Sequence, residues 1–270
     1  MSSAPPSLAD IVRNPLKEKL VRGDLVASMT VRMSRGPEIG RIAATAGLDT
    51  LYIDLEHSAL SLETTALVCT VAREAGVVPL VRVPALDAAL IGRVLDVGAM
   101  GIIAPQIQSA ADARRAVSCC RYPPQGERSI ATGLPLLHHR SFPAQEACAA
   151  LNAAVFVAVM VETPQALAHA GEIAAIDGID MLFVGAHDLA GAMGWLDAGR
   201  DAAVEAAFDQ VLAAAQPHGK TVGAGGVAGK PALLQRLVSK GVRYISTGSD
   251  LAFLLSAATQ QAQAVQGMIP

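Results

Sequence analysis

Apolar residues in this chain gather into short runs of four to seven, each followed by a longer segment in which they recur every three or four positions. The runs lie at residues 25–29 (LVASM), 50–54 (TLYID), 78–83, 101–104 (GIIA), 155–161 (VFVAVMV), 180–184 (DMLFV), 221–225 (TVGAG) and 243–247 (RYIST). Unbroken Val, Ile and Leu without polar alternation is the pattern of parallel strands covered on both faces. The segments between them read as helices. In SLETTALVCTVAREAG, Ser61 caps the start and Gly76 stops the end, and LDAALIGRVLDVGA again closes at a glycine, Gly98. Eight strands separated by helices predict an α/β fold, a single closed (β/α)8 barrel, and 270 residues suit one such barrel. The expected organisation is one domain over 1–270, with the Ser/Pro-rich residues 1–7 disordered. The longest irregular stretch runs from about Arg121 to Gln145, and loops of that length in a compact domain usually carry function or move.

Composition narrows what such a barrel does. With 21 basic and 24 acidic side chains the formal net charge is −3, which leaves no electrostatic footprint for nucleic acid or an anionic membrane surface. No stretch reaches the roughly 20 apolar residues that span a bilayer. The start lacks a basic region followed by an apolar one, so a cytoplasmic location is expected. Four cysteines, Cys69, Cys119, Cys120 and Cys148, show no CxxC spacing and read as reduced thiols.

Barrel chemistry is built at the C-terminal ends of the strands, so the residues there carry the functional reading. Strand two ends in Asp54-Leu55-Glu56-His57, strand three at Arg82, strand four in Pro105-Gln106, strand five in Glu162-Thr163-Pro164 and strand six in Gly185-Ala186-His187-Asp188. Glu162 and Asp188 put two hard oxygen donors on neighbouring strands, a set that suits Mg²⁺ or Mn²⁺ with other positions left to water and substrate. Both positions also suit plain helix-start residues, where negative charge is favoured. Arg82 stands among Val, Leu and Pro, where a guanidinium needs an anion, either a substrate or a barrel carboxylate such as Asp54. His57, three residues past Asp54, is placed for that acid to orient its ring for base catalysis; the plain alternative is a surface-loop histidine. The helix opening at Gly185-Ala186-His187-Asp188 offers free N–H groups to a small carboxylate. None of the five lysines falls at such a strand end, which argues against Schiff-base chemistry. GAGGV at 223–227 and STGSD at 246–250 fit either phosphate-binding or ordinary turns.

In order along the chain, IDLEHS (53–58), LVRVP (80–84), VLDVGAMGIIAPQIQSAADAR (94–114), RYPPQGERS (121–129), VMVET (159–163) and DGIDMLFVGAHDLAGAMG (177–194) resemble the HpcH/HpaI aldolase family of metal-dependent class II pyruvate aldolases. That resemblance implies reversible cleavage of a 4-hydroxy-2-oxo acid to pyruvate and an aldehyde through a stabilised pyruvate enolate. It implies a divalent ion (Mg²⁺, Mn²⁺ or Co²⁺) on Glu162 and Asp188, catalysis by His57 and Arg82 with Asp54, and substrate contacts from Arg82, Gln106, Gly185, Ala186, His187 and Asp188. It further implies a homohexamer of dimers that exchange their last helix. Two positions depart from the pattern. Met160 stands where several of these aldolases have Gln, and His187 replaces a usually small residue. A lyase or decarboxylase acting on oxaloacetate or a CoA thioester at the same site, and a non-catalytic 2-oxo acid binding protein, are the alternatives.

Overall fold

The computed structural model describes residues 6–195 and 200–268. Eight parallel strands close on themselves in chain order: β1 Val26–Val31, β2 Thr50–Asp54, β3 Val78–Arg82, β4 Gly101–Ala104, β5 Phe156–Val161, β6 Met181–Gly185, β7 Thr221–Gly225 and β8 Tyr244–Ser249. This is the barrel the apolar runs predict. β2, β4 and β7 have the predicted bounds. β1 and β8 each reach two residues further than predicted, and that shift carries Arg32 and Ser249 to the mouth. Of residues 1–7, 1–5 lie outside the described residues, while Ser7 caps the short helix Leu8–Ile11 and exchanges bonds with Asp10.

Two apolar layers follow from the strand pleat. Inside the barrel Tyr52, Leu80, Ile103, Phe156, Met160, Phe183 and Tyr244 fill the axis, with Leu16 from the helix Pro15–Val21 packed into the same cluster. Phe183 meets Tyr52 and Tyr244 edge-on at centroid distances of 5.8 and 5.9 Å, a favoured aromatic geometry. Outside, the alternate residues of the strands pack against the helices, as Ile53, Val81 and Val161 do against a shell that includes Val68, Ile91 and Leu167. The barrel interior also holds Thr50, Ser28 and Tyr244, whose hydroxyls satisfy one another.

The predicted caps form. Ser61 Oγ accepts from the Thr64 N–H at the head of Leu62–Glu74, and Gly76 and Gly98 follow their helices in the left-handed conformation. The long stretch after Arg121 is irregular apart from one 3₁₀ turn at Pro135–Leu137, and it packs over Tyr122 and Leu151.

Candidate active site

Strand register sets the first contact. Asp54 and Arg82 are paired residues on β2 and β3, so their side chains leave the barrel end side by side. Arg82 Nε and Nη2 donate to the two Asp54 oxygens at 2.9 and 2.6 Å, while Nη1 reaches Glu56 at 2.8 Å. Both members of the pair are buried. Burial pushes the Asp54 carboxyl up, but the bonds from Arg82 and Arg32 outweigh it and hold the group below the usual carboxylate range. Arg82 also sits 5.4 Å from the Tyr52 ring centroid. A guanidinium held at three points is a preorganised cation, and it keeps N–H groups for a ligand because each terminal nitrogen carries two.

The structure corrects one expected contact. Asp54 does not touch the His57 ring. Its oxygens take the Arg82 and Arg32 guanidiniums and the backbone N–H groups of Glu56 and His57. The ring lies instead 3.8 Å from Glu56, its side chain 57% exposed, on the border of the cavity. The physical reason is competition: two guanidiniums outbid an imidazole for a carboxylate with only two oxygens.

Across the mouth, Glu162 is buried at the end of β5, and its Oε1 accepts the Gln106 backbone N–H at 2.7 Å. Gln106 has φ +56°, and this left-handed turn aims the N–H at the carboxylate, while its side chain is exposed. Burial raises the Glu162 pKa, the Gln106 bond opposes that, and the nearby Asp188 charge raises it further. A side chain at position 185 would come within 3.1–3.2 Å of Glu162, so Gly185 keeps the space beside that carboxylate open. Neither Glu162 nor Asp188 has a cationic partner among the described residues. Two carboxylates that feel each other's charge and have no cationic partner have the chemistry of a hard divalent-cation site, and two protein ligands suffice for an ion that keeps waters and substrate as the rest. No set of three His, Cys, Asp or Glu side chains is arranged for a metal among the described residues, so Glu162 and Asp188 would carry such an ion by themselves.

Beside these groups lies a cavity of about 290 Å³, bordered by Arg82, His57, Gly185, Ala186, His187 and Asp188; Glu162 and Gln106 are not among its lining. Tyr52, Met160 and Phe183 border it too, and none of the five lysines does. Arg32 and Thr30, which the sequence does not single out, border the same cavity, as does Ser246 from the STGSD turn noted in the sequence. Arg32 was legible only as a charge following an apolar strand, and a strand ended at Met29 puts it in a loop.

Asp250 is a further residue with a positional role. It opens the helix Asp250–Gln266 and accepts the backbone N–H groups of Arg32, Met33 and Ser34 at 3.1, 3.1 and 2.7 Å, pinning the turn after β1. Burial would raise its pKa, yet these N–H bonds hold it below the ordinary value. Its contribution is therefore complete above the unfolded carboxyl pKa of about 3.9 and is lost as pH falls through the lower folded value. Asp250→Ala is expected to cost about 1–3 kcal/mol in urea unfolding at pH 7, with less difference from the parent in acid.

The HpcH/HpaI aldolase/citrate lyase family model matches residues 29–257. A 4-hydroxy-4-methyl-2-oxoglutarate aldolase of Chaetomium globosum is 37% identical over 93% of this chain and 95% of its own. A hydroxypyruvate/pyruvate aldolase of Cupriavidus necator is 32% identical over 92% of this chain and 91% of its own. Among solved structures, an HpcH/HpaI aldolase from Desulfitobacterium hafniense superposes with a TM-score of 0.88 at 29% identity, covering 94% of this chain and 97% of that one.

Proposed function

The chain belongs to the HpcH/HpaI aldolase/citrate lyase family, and from that membership we propose a divalent-metal-dependent aldolase that cleaves a 4-hydroxy-2-oxo acid to pyruvate and a carbonyl compound. The observation that carries the reading is a buried, three-point-held Arg82 that borders one small cavity together with Asp188, with the buried Glu162 carboxylate close enough to feel the charges of both.

Glu162 and Asp188 are the residues that would hold the ion, which when bound supplies Lewis acidity to the oxygen-rich end of a 2-oxo acid. The N–H groups at the start of the helix Ala186–Ala192 suit the substrate carboxylate. The free N–H groups of Arg82 face the position where negative charge grows as the C3–C4 bond breaks. His57 is the base for the C4 hydroxyl proton, with Glu56 rather than Asp54 as its nearest carboxylate. Asp54 acts on Arg82, as the anchor that fixes its orientation.

The test is release of pyruvate from 4-hydroxy-4-methyl-2-oxoglutarate by the full chain, before and after chelation. Cleavage that stops in EDTA and returns with Mg²⁺, Mn²⁺ or Co²⁺ is the expected result. Undiminished turnover in chelator refutes the metal reading, and carbon dioxide release from oxaloacetate without any aldol cleavage favours a decarboxylase.

We further infer assembly with copies of itself. In the helix Asp250–Gln266 only Asp250 is buried, while Leu251, Phe253, Leu254 and Leu255 are each 43–63% exposed. A row of this kind at the head of a helix is costly in water and suits a second copy, in line with the exchanged last helix and hexamer that the family resemblance implies. Leu254→Asp is expected to shift the native mass by light scattering to that of a monomer; an unchanged mass would remove this helix from the interface. No helix among the described residues is long and apolar enough to cross a membrane, and four free thiols suit a reducing cytoplasm.

A further inference from the structure

A second cavity lies at the opposite end of the barrel, and at about 660 Å³ it is larger than the one of about 290 Å³ at the mouth. It borders Val78 at the start of β3, Met100 just before β4 and Val155 just before β5. One wall comes from the long irregular stretch after Arg121, through Arg128, Pro135, Leu136, His138 and His139. Nothing in the chemistry at the mouth uses this space. Ile11, Val12, Leu95, Leu136 and Leu151 make much of its lining apolar, and the volume is ordinary for a small-molecule site.

Two guanidiniums in the lining converge on the end of the helix Ala88–Asp96. Arg128 Nη2 donates to Asp96 Oδ1 at 2.7 Å. Arg73, in the last turn of the helix Leu62–Glu74, donates from Nη2 to the Pro135 carbonyl at 3.1 Å, and its Nη1 lies 3.4 Å from where a Cβ on Gly98 would stand. Cations are favoured at a helix C-terminus, but that does not account for the donors these two leave unbonded. Arg128 is 5% exposed, with its guanidinium 4.5 Å from the Tyr122 ring centroid, and the Asp96 bond takes one of its five N–H groups. Its Nε is buried without an acceptor among the described residues, and Nη1 has none there either. Arg73 has no carboxylate partner among the described residues; Glu74, the acidic residue of the lining, is exposed and makes no bond to it. Burial accordingly pushes the Arg73 pKa down. Arg13, the third arginine of the lining, is already spent on both oxygens of Glu18. A buried N–H without an acceptor is costly, and a ligand oxygen removes that cost.

We propose that this cavity binds an amphipathic monocarboxylate, its head on Arg73 and Arg128 and its apolar body along Leu95, Met100, Leu136 and Val155. The two oxygens of a carboxylate can each take a guanidinium, and the donors stand together at one place on an otherwise apolar lining, which calls for one charged head and one uncharged body. The site is separate from the mouth and from the reaction there.

The experiment is calorimetric titration of the full chain with octanoate, with acetate and 1-octanol as the head without the body and the body without the charge. Octanoate is expected to saturate at one per chain, about a hundredfold or more tighter than acetate and about tenfold or more tighter than 1-octanol. Arg73→Gln and Arg128→Gln should each weaken octanoate by about tenfold and leave 1-octanol unmoved. Thr70→Trp, at an exposed position of the lining, keeps both arginines and should weaken octanoate and 1-octanol alike by filling the space. Thermal melting reports the fold of each variant, and exposed Thr70 tests the site even if the loss of buried Arg128 costs the fold. Absence of saturable octanoate binding in the wild type, or parental octanoate affinity in both Arg73→Gln and Thr70→Trp, overturns the proposal. So does 1-octanol binding as tightly as octanoate, which leaves an apolar cavity with no place for an anion.

Discussion

Arg82→Met is expected to lower kcat by roughly 10²-fold or more, the scale of losing one donor aimed at developing negative charge. The fold pays as well. Asp54 is wholly buried and would keep only the half-exposed Arg32 as a cationic partner, and breaking a buried ion pair by removing one member costs about 3–5 kcal/mol. The two losses separate by method: urea unfolding reports the second, and steady-state rates on the fraction still folded report the first. The sign with pH follows. In the parent, Asp54 is held below the ordinary carboxylate range, so its contribution is present above about pH 3.9 and disappears as pH falls through the lower folded value. Without Arg82, burial dominates and raises that folded pKa, so the variant should lose stability in acid at a higher pH than the parent. A variant with parental kcat and only a raised KM would make Arg82 a uniform binding group.

Glu162→Gln is expected to have the opposite signature. Activity should fall by 10²-fold or more, on the scale of losing a group that stabilises transition-state charge. In metal-free buffer, however, stability should hold or rise, because a buried carboxylate repelled by Asp188 is exchanged for a neutral amide whose oxygen can still accept the Gln106 N–H. The decisive measurement is the melting temperature against Mg²⁺. Binding to the folded state alone raises stability by RT ln(1 + [L]/Kd), so the parent should melt higher as Mg²⁺ is added and the variant should not. An equal Mg²⁺-dependent rise in both would take Glu162 out of the ion's coordination.

Strand existence and order were legible because parallel barrel strands are apolar on both faces and each is closed by a turn residue. Strand ends were less so. Residues 30 and 31 (Thr, Val) carry no turn signal, and stopping β1 at Met29 hides Arg32, which borders the cavity and donates to Asp54. Gln106 is expected from the sequence only as a strand-end substrate contact, whereas in the structure its backbone N–H, presented by a left-handed turn, reaches Glu162. No residue type advertises that conformation at a glutamine. Glu56 lay inside a quoted motif, yet its bond to Arg82 depends on how the turn after β2 folds back over β3.

By itself the amino-acid order determined the architecture and which polar residues close most of the strands: eight apolar runs, the acidic, arginine and histidine residues that follow them, and the absence of a lysine among them. These depend on local periodicity and on which end of a strand a residue occupies, and neighbours along the chain encode both. Only the tertiary structure decided the pairings. Asp54 could serve His57 or Arg82 as far as spacing was concerned, and the parallel register that sets residue 54 beside residue 82 settled it for the arginine. His187 meets Arg200 and rests on Gly226 because the ends of β6 and β7 lie together and the helix Arg200–Ala215 begins beside them. Partners that lie tens of residues apart compete for the same few oxygens and nitrogens, and geometry in three dimensions selects among them.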